Sequence, residues 1–160
     1  MIFDGDTDLW AYRYMQGWKE KKGIEFDFYD AEDIRPLIGQ SPDETVQAAL
    51  QERFAEAKQA IVLVSETAKS MFKFVRWQIE IAQKKQLPIV VVNLNSCRYV
   101  DLVRCPALLR DWPAVHVAFR GKIVKHALDS FPEEYQKILR GGAKSGPRHY
   151  TDEIYKSLDL

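Results

Sequence analysis

Two short apolar runs place the strongest limit on the fold of this chain. Residues 60–64 read AIVLV and residues 89–92 read IVVV, without the polar alternation of a half-exposed strand. Unbroken β-branched runs of this length are typical of parallel strands that are covered on both faces. The segment between them carries apolar residues at helical spacing and ends at Pro88. The pattern therefore predicts a strand–helix–strand unit.

Weaker signals on either side extend this unit to a larger sheet. Helical spacing predicts a first helix that begins at Leu9 and ends at Gly23, and a second helix that begins at Pro42 with Ser41 as its N-cap. Three more strands are predicted at residues 2–3, 24–29 and 115–119. We therefore predict an α/β domain with a mostly parallel, five-stranded sheet in flavodoxin-like order 2-1-3-4-5 and helices on both faces. The short first strand is either a stunted central strand or the end of one that starts upstream of Met1.

Length and composition limit the number of domains and the kinds of partner. The chain has 160 residues, which we assign to one domain at residues 1–140 and to a flexible linker with a short C-terminal segment at residues 141–160. Residues 150–158 are amphipathic and are expected to dock on the domain or on a partner. The 23 basic residues balance the 23 acidic ones, and no apolar run approaches ~18 residues, so we expect neither a nucleic-acid nor a membrane partner. Two cysteines, Cys97 and Cys105, are too few for a disulfide framework or a zinc site. We expect a cytoplasmic protein without a bound metal.

The predicted topology brings polar residues together at the carboxyl ends of the strands, where folds of this class bind ligands. A flavin phosphate is disfavoured, because the loop at residues 4–8 reads DGDTD and its carboxylates would repel it. The phosphoacceptor site of a receiver domain is disfavoured because Ser65 stands where such a domain has aspartate. The polar candidates at this edge are Asp4, Asp6, residues 30–35, Ser65, Asn93 and Asn95.

The helix between the buried strands carries the most specific motif. It reads FVRWQIEIA at residues 74–82, with an aromatic residue one turn before Gln78 and a small residue one turn after it. This block resembles the third helix of TIR and TIR-like domains. Together with FDGDTD at residues 3–8 and the long loop at residues 30–41, it resembles the bacterial TIR-like family of Thoeris anti-phage systems. The resemblance extends from Met1 to about Phe131.

This resemblance implies an enzyme that cleaves the nicotinamide–ribose bond of NAD+. It implies a cyclic or modified ADP-ribose product that activates a partner effector, with NAD+ as substrate and no further cofactor. The catalytic glutamate position of the family aligns with Gln78, and Glu80 is the fallback. An amide at this position implies reduced activity, whether the residue is natural or was introduced to trap substrate. The alternative is a non-catalytic TIR-like module that signals by assembly.

The resemblance also places a substrate pocket between the first loop, the loop at residues 30–41 and the helix that carries Gln78. The substrate-binding residues that we predict are Phe3, Asp4, Asp6, Arg35, Ser65 and Phe74. Self-association is expected as well, because the first helix holds more aromatic residues than one buried stripe needs. These residues are Trp10, Tyr12, Tyr14 and Trp18.

Helix geometry separates Gln78 from Glu80 independently of any family. Residues of an α-helix advance by ~100° each, so side chains two positions apart point ~200° apart. Gln78 has apolar neighbours one turn away, whereas Glu80 lies one turn from Arg76 and from Lys84. We therefore predict that Glu80 forms a solvated ion pair worth a few tenths of a kcal/mol. Gln78 is expected on the apolar side, either at the catalytic position or as a rim glutamine bonded to the backbone.

Overall fold

The two β-branched runs form neighbouring strands of a parallel sheet. The structure is a computed structural model that describes residues 1–22, 29–68, 73–142 and 145–160. Its strands, in the order in which they pair, are β1 (Ala60–Val64), β2 (Ile89–Asn93), β3 (Val115–Ala118) and β4 (Arg148–His149). Every residue of β1, β2 and β3 is buried, which confirms that these strands are covered on both faces.

The sheet differs from the predicted five strands at both edges. The described residues form four strands, because the predicted first strand is reduced to a single parallel bridge between Ile2 and Val62. Ile2 nevertheless makes two backbone hydrogen bonds to β1, of 2.7 and 2.9 Å, in the place predicted for that strand. The strand predicted at residues 24–29 lies outside the described residues, apart from Tyr29. At the far edge, β4 is a strand that the sequence patterns did not predict.

Helices cover both faces of the sheet, as predicted. They are α1 (Leu9–Lys22), α2 (Asp43–Arg53), α3 (Lys73–Lys84), α4 (Ala107–Arg110), α5 (Gly121–Leu139) and α6 (Asp152–Ser157), with a 3-10 helix at Arg35–Leu37. Gly23, the predicted end of the first helix, lies outside the described residues. In α2, Pro42 occupies the N-cap position and makes no side-chain cap, so the prediction of Ser41 as the cap is wrong. Within the described part of the chain, no helix has the length and apolar character needed to cross a bilayer.

Alternating residues of the strands supply two separate hydrophobic layers. Ile61 and Val90 point into the layer formed with α1, α5 and α6, whereas Val62 and Val91 point into the layer formed with α3 and α4. A smaller third cluster lies between α2, α3 and the 3-10 helix. Successive side chains of a strand face opposite sides, so unbroken apolar runs are required to fill both layers.

The C-terminal segment packs on the domain, which is one of the two partners predicted for it. Tyr155 of α6 is fully buried in the layer that also contains α1 and α5. Its hydroxyl accepts a hydrogen bond of 3.2 Å from the N–H of Ala118, at the end of β3. Arg98 stacks over the Tyr155 ring at 4.1 Å and pairs with Asp152 at 3.0 Å. The end of the chain therefore completes the core beside β3.

The aromatic residues of α1 divide between core and surface. Tyr12 and Trp18 are only 8% and 6% exposed and belong to the buried stripe of the helix. Trp10 and Tyr14 are 56% and 60% exposed and lie against the ring of Phe119, with centroid distances of 5.7 and 5.8 Å. An association surface at Trp10 and Tyr14 stays a prediction.

Candidate functional site

Helix α3 turns Gln78 and Glu80 to different sides, as its periodicity predicts. Gln78 is 2% exposed, and its Nε2 donates a hydrogen bond of 3.4 Å to the carbonyl oxygen of Phe74. Glu80 lies at the surface, where its Oε1 accepts a hydrogen bond of 2.7 Å from Nε of Arg76. The predicted orientation of both side chains is confirmed. Their catalytic roles stay predictions.

The two phenylalanines predicted to contact substrate are used in packing. Phe74 is 3% exposed and lies in the cluster between α2 and α3, with Ile34 and Leu50 among its neighbours. Phe3 is 2% exposed and stacks on Tyr12 at a centroid distance of 5.0 Å. Neither ring presents an open face to a ligand in this structure.

Polar side chains from two loops meet at the carboxyl end of β1. Oγ1 of Thr67 lies 3.3 Å from Oδ2 of Asp4, 3.0 Å from Oγ of Ser65 and 2.9 Å from Oγ1 of Thr7. The Thr7 hydroxyl also lies 3.1 Å from Oδ1 of Asp8. We call these five residues the hydroxyl–carboxyl cluster. The structure thus brings together the predicted Asp4 and Ser65, and it adds Thr7, Asp8 and Thr67, which were not assigned a role.

Both carboxyl groups of this cluster are shielded from solvent. Asp4 is 6% exposed and Asp8 is 1% exposed. Burial raises the pKa of Asp8 above its ordinary value, and hydrogen bonds from Ser65 and Thr7 only partly oppose this shift. Oδ2 of Asp8 has no hydrogen-bond partner among the described residues. Burial of Asp8 therefore favours the neutral form of its carboxyl group.

Arg35 connects the predicted loop at residues 30–41 to the first loop. Its guanidinium is paired with Asp6, and its Nη1 lies 3.4 Å from Oε2 of Glu32. Gly5 lies directly beneath this pair, because a Cβ at that position would be 1.8 Å from Oε2 of Glu32. Burial raises the pKa of Glu32, and the charge of Arg35 opposes that shift. The predicted residues Asp6 and Arg35 are thus brought into direct contact, and Glu32 joins them.

The cavity that borders the cluster is small. It is lined by Asp4 and Thr67 on its polar side and by Val75 and Pro106 on its apolar side, and it has room for about one water molecule. Wider grooves of about 620 and 740 Å³ flank α2, where they are lined by residues that include Ile81 and Glu52. We place the candidate site at the cluster and not in those grooves, because the cluster, unlike either groove, combines buried carboxyl groups with the carboxyl end of the sheet.

Two other predicted polar residues, Asn93 and Asn95, form hydrogen bonds that stabilise a loop. The side-chain amide of Asn93 donates to the carbonyl oxygens of Cys97 and Tyr99 at 3.0 and 2.9 Å, and that of Asn95 donates to Asp101 at 2.8 Å. These bonds fix the loop after β2. Among the described residues, no group of three or more His, Cys, Asp or Glu side chains is arranged to hold a metal ion.

Comparison with known families agrees with this arrangement of elements. Residues 2–99 match the family described as the Thoeris protein ThsB, TIR-like domain, a span that runs from the Ile2 bridge to the loop after β2. A search among curated proteins gives no match. The matched span contains the hydroxyl–carboxyl cluster, Arg35 and all of α3. Because it covers more than half of the chain, this protein belongs to the family of Thoeris ThsB TIR-like domains.

Proposed function

We propose that this chain acts on NAD+ in anti-phage defence and cleaves the nicotinamide–ribose bond. The product would be a cyclic or modified ADP-ribose signal that activates a partner effector in the cytoplasm. The observation that carries the proposal is the orientation of α3, which turns Gln78 into the fold and pairs Glu80 with Arg76 at the surface. Family membership supports the reaction class, and the orientation of α3 supports Gln78 over Glu80 as the position that corresponds to the catalytic glutamate.

The chemistry explains why an amide at position 78 would slow the reaction. Cleavage of an N-glycosidic bond builds positive charge on the anomeric carbon, and a nearby carboxylate stabilises that charge. Gln78 keeps the shape of glutamate but supplies neither the negative charge nor a base. A preorganised electrostatic group contributes ~3–4 kcal/mol to the transition state, so its loss corresponds to a factor of ~10²–10³ in rate.

We assign substrate binding to residues that do not change when residue 78 is glutamine instead of glutamate. Arg35 would bind the pyrophosphate, exchanging its contacts with Asp6 and Glu32 for phosphate oxygens. Ser65 and Asp4 offer hydroxyl and carboxylate oxygens to the ribose hydroxyl groups. Affinity for NAD+ should therefore change much less than turnover when residue 78 is altered.

The test compares NAD+ turnover and NAD+ affinity in three chains: the protein itself, Gln78→Glu and Glu80→Gln. We expect Gln78→Glu to raise turnover by ~10²–10³ with a small change in affinity, and Glu80→Gln to change neither. Glu80→Gln is the matched control, because it makes a change of the same size on the same helix at a solvated ion pair. Loss of activity in Glu80→Gln with no effect of Gln78→Glu would move the catalytic position to Glu80.

A non-catalytic signalling module is the second candidate. It is favoured by the hydrogen bond from Gln78 to the Phe74 carbonyl, which would give this side chain a structural role in place of a catalytic one. The exposed rings of Trp10 and Tyr14 would then serve self-association. If neither the protein nor Gln78→Glu consumes NAD+, even at concentrations at which the chain assembles, this candidate replaces the enzyme.

A further inference from the structure

The two buried carboxyl groups of the hydroxyl–carboxyl cluster cannot be equivalent. Asp4 binds the N–H of Asp6 through Oδ1 at 3.1 Å and the Thr67 hydroxyl through Oδ2 at 3.3 Å, so both of its oxygens have partners. Asp8 is more deeply buried, and its Oδ2 has no partner among the described residues. An ionised oxygen that is buried without a partner is far more costly than the carbonyl oxygen of a neutral acid. This difference favours a charge on Asp4 and a proton on Asp8.

Contacts within the cluster connect Asp8 to Asp4 through two hydroxyl groups. The oxygen atoms of Asp8 and Thr7, of Thr7 and Thr67, and of Thr67 and Asp4 lie within hydrogen-bond distance of each other. Ser65 lies beside this path, with hydrogen-bond contacts to Thr67 and to Asp8. When Asp8 carries a proton, it can donate to Thr7, Thr7 can donate to Thr67, and Thr67 donates to Asp4.

We propose that Asp8 is a neutral carboxylic acid in the folded protein and that its proton directs the Thr7 and Thr67 hydroxyls toward Asp4, which remains the ionised base of the site. The assignment of Asp4 as a base rests on the proposed function, whereas the neutral state of Asp8 does not. Asp8 is a positioning residue, because it acts on Asp4 through two hydroxyl groups. Within the described part of the chain, the charged groups near this pair include Asp6, Asp30, Glu32 and Arg35.

An ionised Asp4 would supply the base that Gln78 cannot provide. When the bond between the anomeric carbon and nicotinamide breaks, its electron pair leaves with neutral nicotinamide. The incoming water or substrate hydroxyl forms a carbon–oxygen bond and releases one proton. Gln78 cannot accept that proton, whereas the carboxylate of Asp4 can. Asp4 lines the cavity that has room for about one water molecule, which places a nucleophile of that size beside it.

The first test measures protonation directly and needs no activity. The full chain is labelled with ¹³C at the aspartate carboxyl carbons and titrated by NMR, beside Asp8→Asn, Asp4→Asn and Asp129→Asn. Asp129 is the control, because its carboxylate forms an ion pair with Lys125 at the surface of α5. We expect one carboxyl signal to keep the chemical shift of the acid form to higher pH than the others, and to be missing only in Asp8→Asn. A signal that is missing in Asp4→Asn instead, or no such signal at all, overturns the proposal.

The second test separates positioning from base chemistry in the Gln78→Glu background. Asp4→Asn is expected to lower turnover ~10²-fold or more, the usual loss for a general base. Asp8→Ala is expected to lower it ~10-fold, and Asp8→Asn to recover most of that loss, because an amide N–H can donate to Thr7 as the acid does. Equal losses in Asp8→Asn and Asp8→Ala would overturn the positioning role. If Gln78→Glu shows no turnover, the base assignment fails with the proposed function, and the NMR titration decides the neutral state of Asp8 by itself.

Discussion

Replacing Tyr155 with phenylalanine removes a single oxygen atom from the place where the C-terminal segment meets the sheet. That oxygen accepts the hydrogen bond from the N–H of Ala118 at 3.2 Å, and the tyrosine ring is fully buried. In Tyr155→Phe the ring remains, so the apolar burial and the stacking of Arg98 are largely retained. The main change is a buried backbone donor without a partner.

The size of the effect follows from that missing partner. A buried donor that loses its acceptor costs about 1–3 kcal/mol, and no cavity larger than one oxygen atom is created. We expect Tyr155→Phe to lower the free energy of unfolding by about 1–2 kcal/mol, which for a chain of this length corresponds to a fall in Tm of about 2–8 °C. Tyr155→Ala also loses the buried ring and should cost about 3–5 kcal/mol.

Urea unfolding followed by circular dichroism measures this difference. The m-value should be the same for Tyr155→Phe and the parent chain, because the surface exposed on unfolding hardly changes. Tyr29→Phe is the matched control, since Tyr29 is 69% exposed and its substitution should stay within about 0.5 kcal/mol. If Tyr155→Phe is as stable as Tyr29→Phe, the C-terminal segment does not satisfy the Ala118 N–H and its described packing is wrong.

Three further predictions concern single positions. His116 is fully buried, and neither ring nitrogen has a partner among the described residues; burial lowers its pKa to about 4. Between pH 6.5 and pH 4 the unfolded chain therefore binds a proton at His116 that the native chain does not bind, and the free energy of unfolding should fall by about 3 kcal/mol. In a series of urea titrations, His116→Leu should remove this dependence of stability on pH. A slope that persists would point to another group. Gly5→Ala should cost no more than about 1 kcal/mol in the same assay, because its Cβ would displace only the ends of the flexible Glu32 and Arg35 side chains and weaken their ion pair. Gly17→Ala meets nothing within 4 Å and should stabilise α1 by up to about 1 kcal/mol; the reverse order of stability would contradict the contact at Gly5. Ile79→Ala, at a fully buried position of α3, should cost about 2–5 kcal/mol by thermal unfolding, and a smaller loss would mean that α3 is not packed on the sheet as described.

Local patterns in the sequence were sufficient for the centre of the sheet and for one feature of the site. The β-branched runs at β1 and β2 predict burial on both faces because a strand turns successive side chains to opposite sides. The advance of ~100° per residue predicts that Gln78 faces inward while Glu80 faces Arg76, and the structure confirms both orientations. Each of these predictions depends only on residues within one or two turns of each other.

The remaining features depend on contacts between residues that are far apart in the chain. Thr7 and Thr67 lie 60 positions apart, and Tyr155 lies 37 positions from the backbone N–H that it satisfies. Neither pair leaves a periodic signal, because no local spacing relates its members. The two-residue strand β4 is too short to show alternation. It pairs with the edge of β3 that does not pair with β2, and this edge exists only once the sheet has formed.

The sequence by itself therefore determined the fold class, the covered strands and the orientation of Gln78, since these follow from the periodicity of apolar residues along single elements. Only the tertiary structure decided that Phe3 and Phe74 are packed in the core and that Asp4 and Asp8 share one hydroxyl cluster. Loops approach one another only after the sheet has formed, and burial changes the preferred charge of a carboxyl group only once its neighbours are in place.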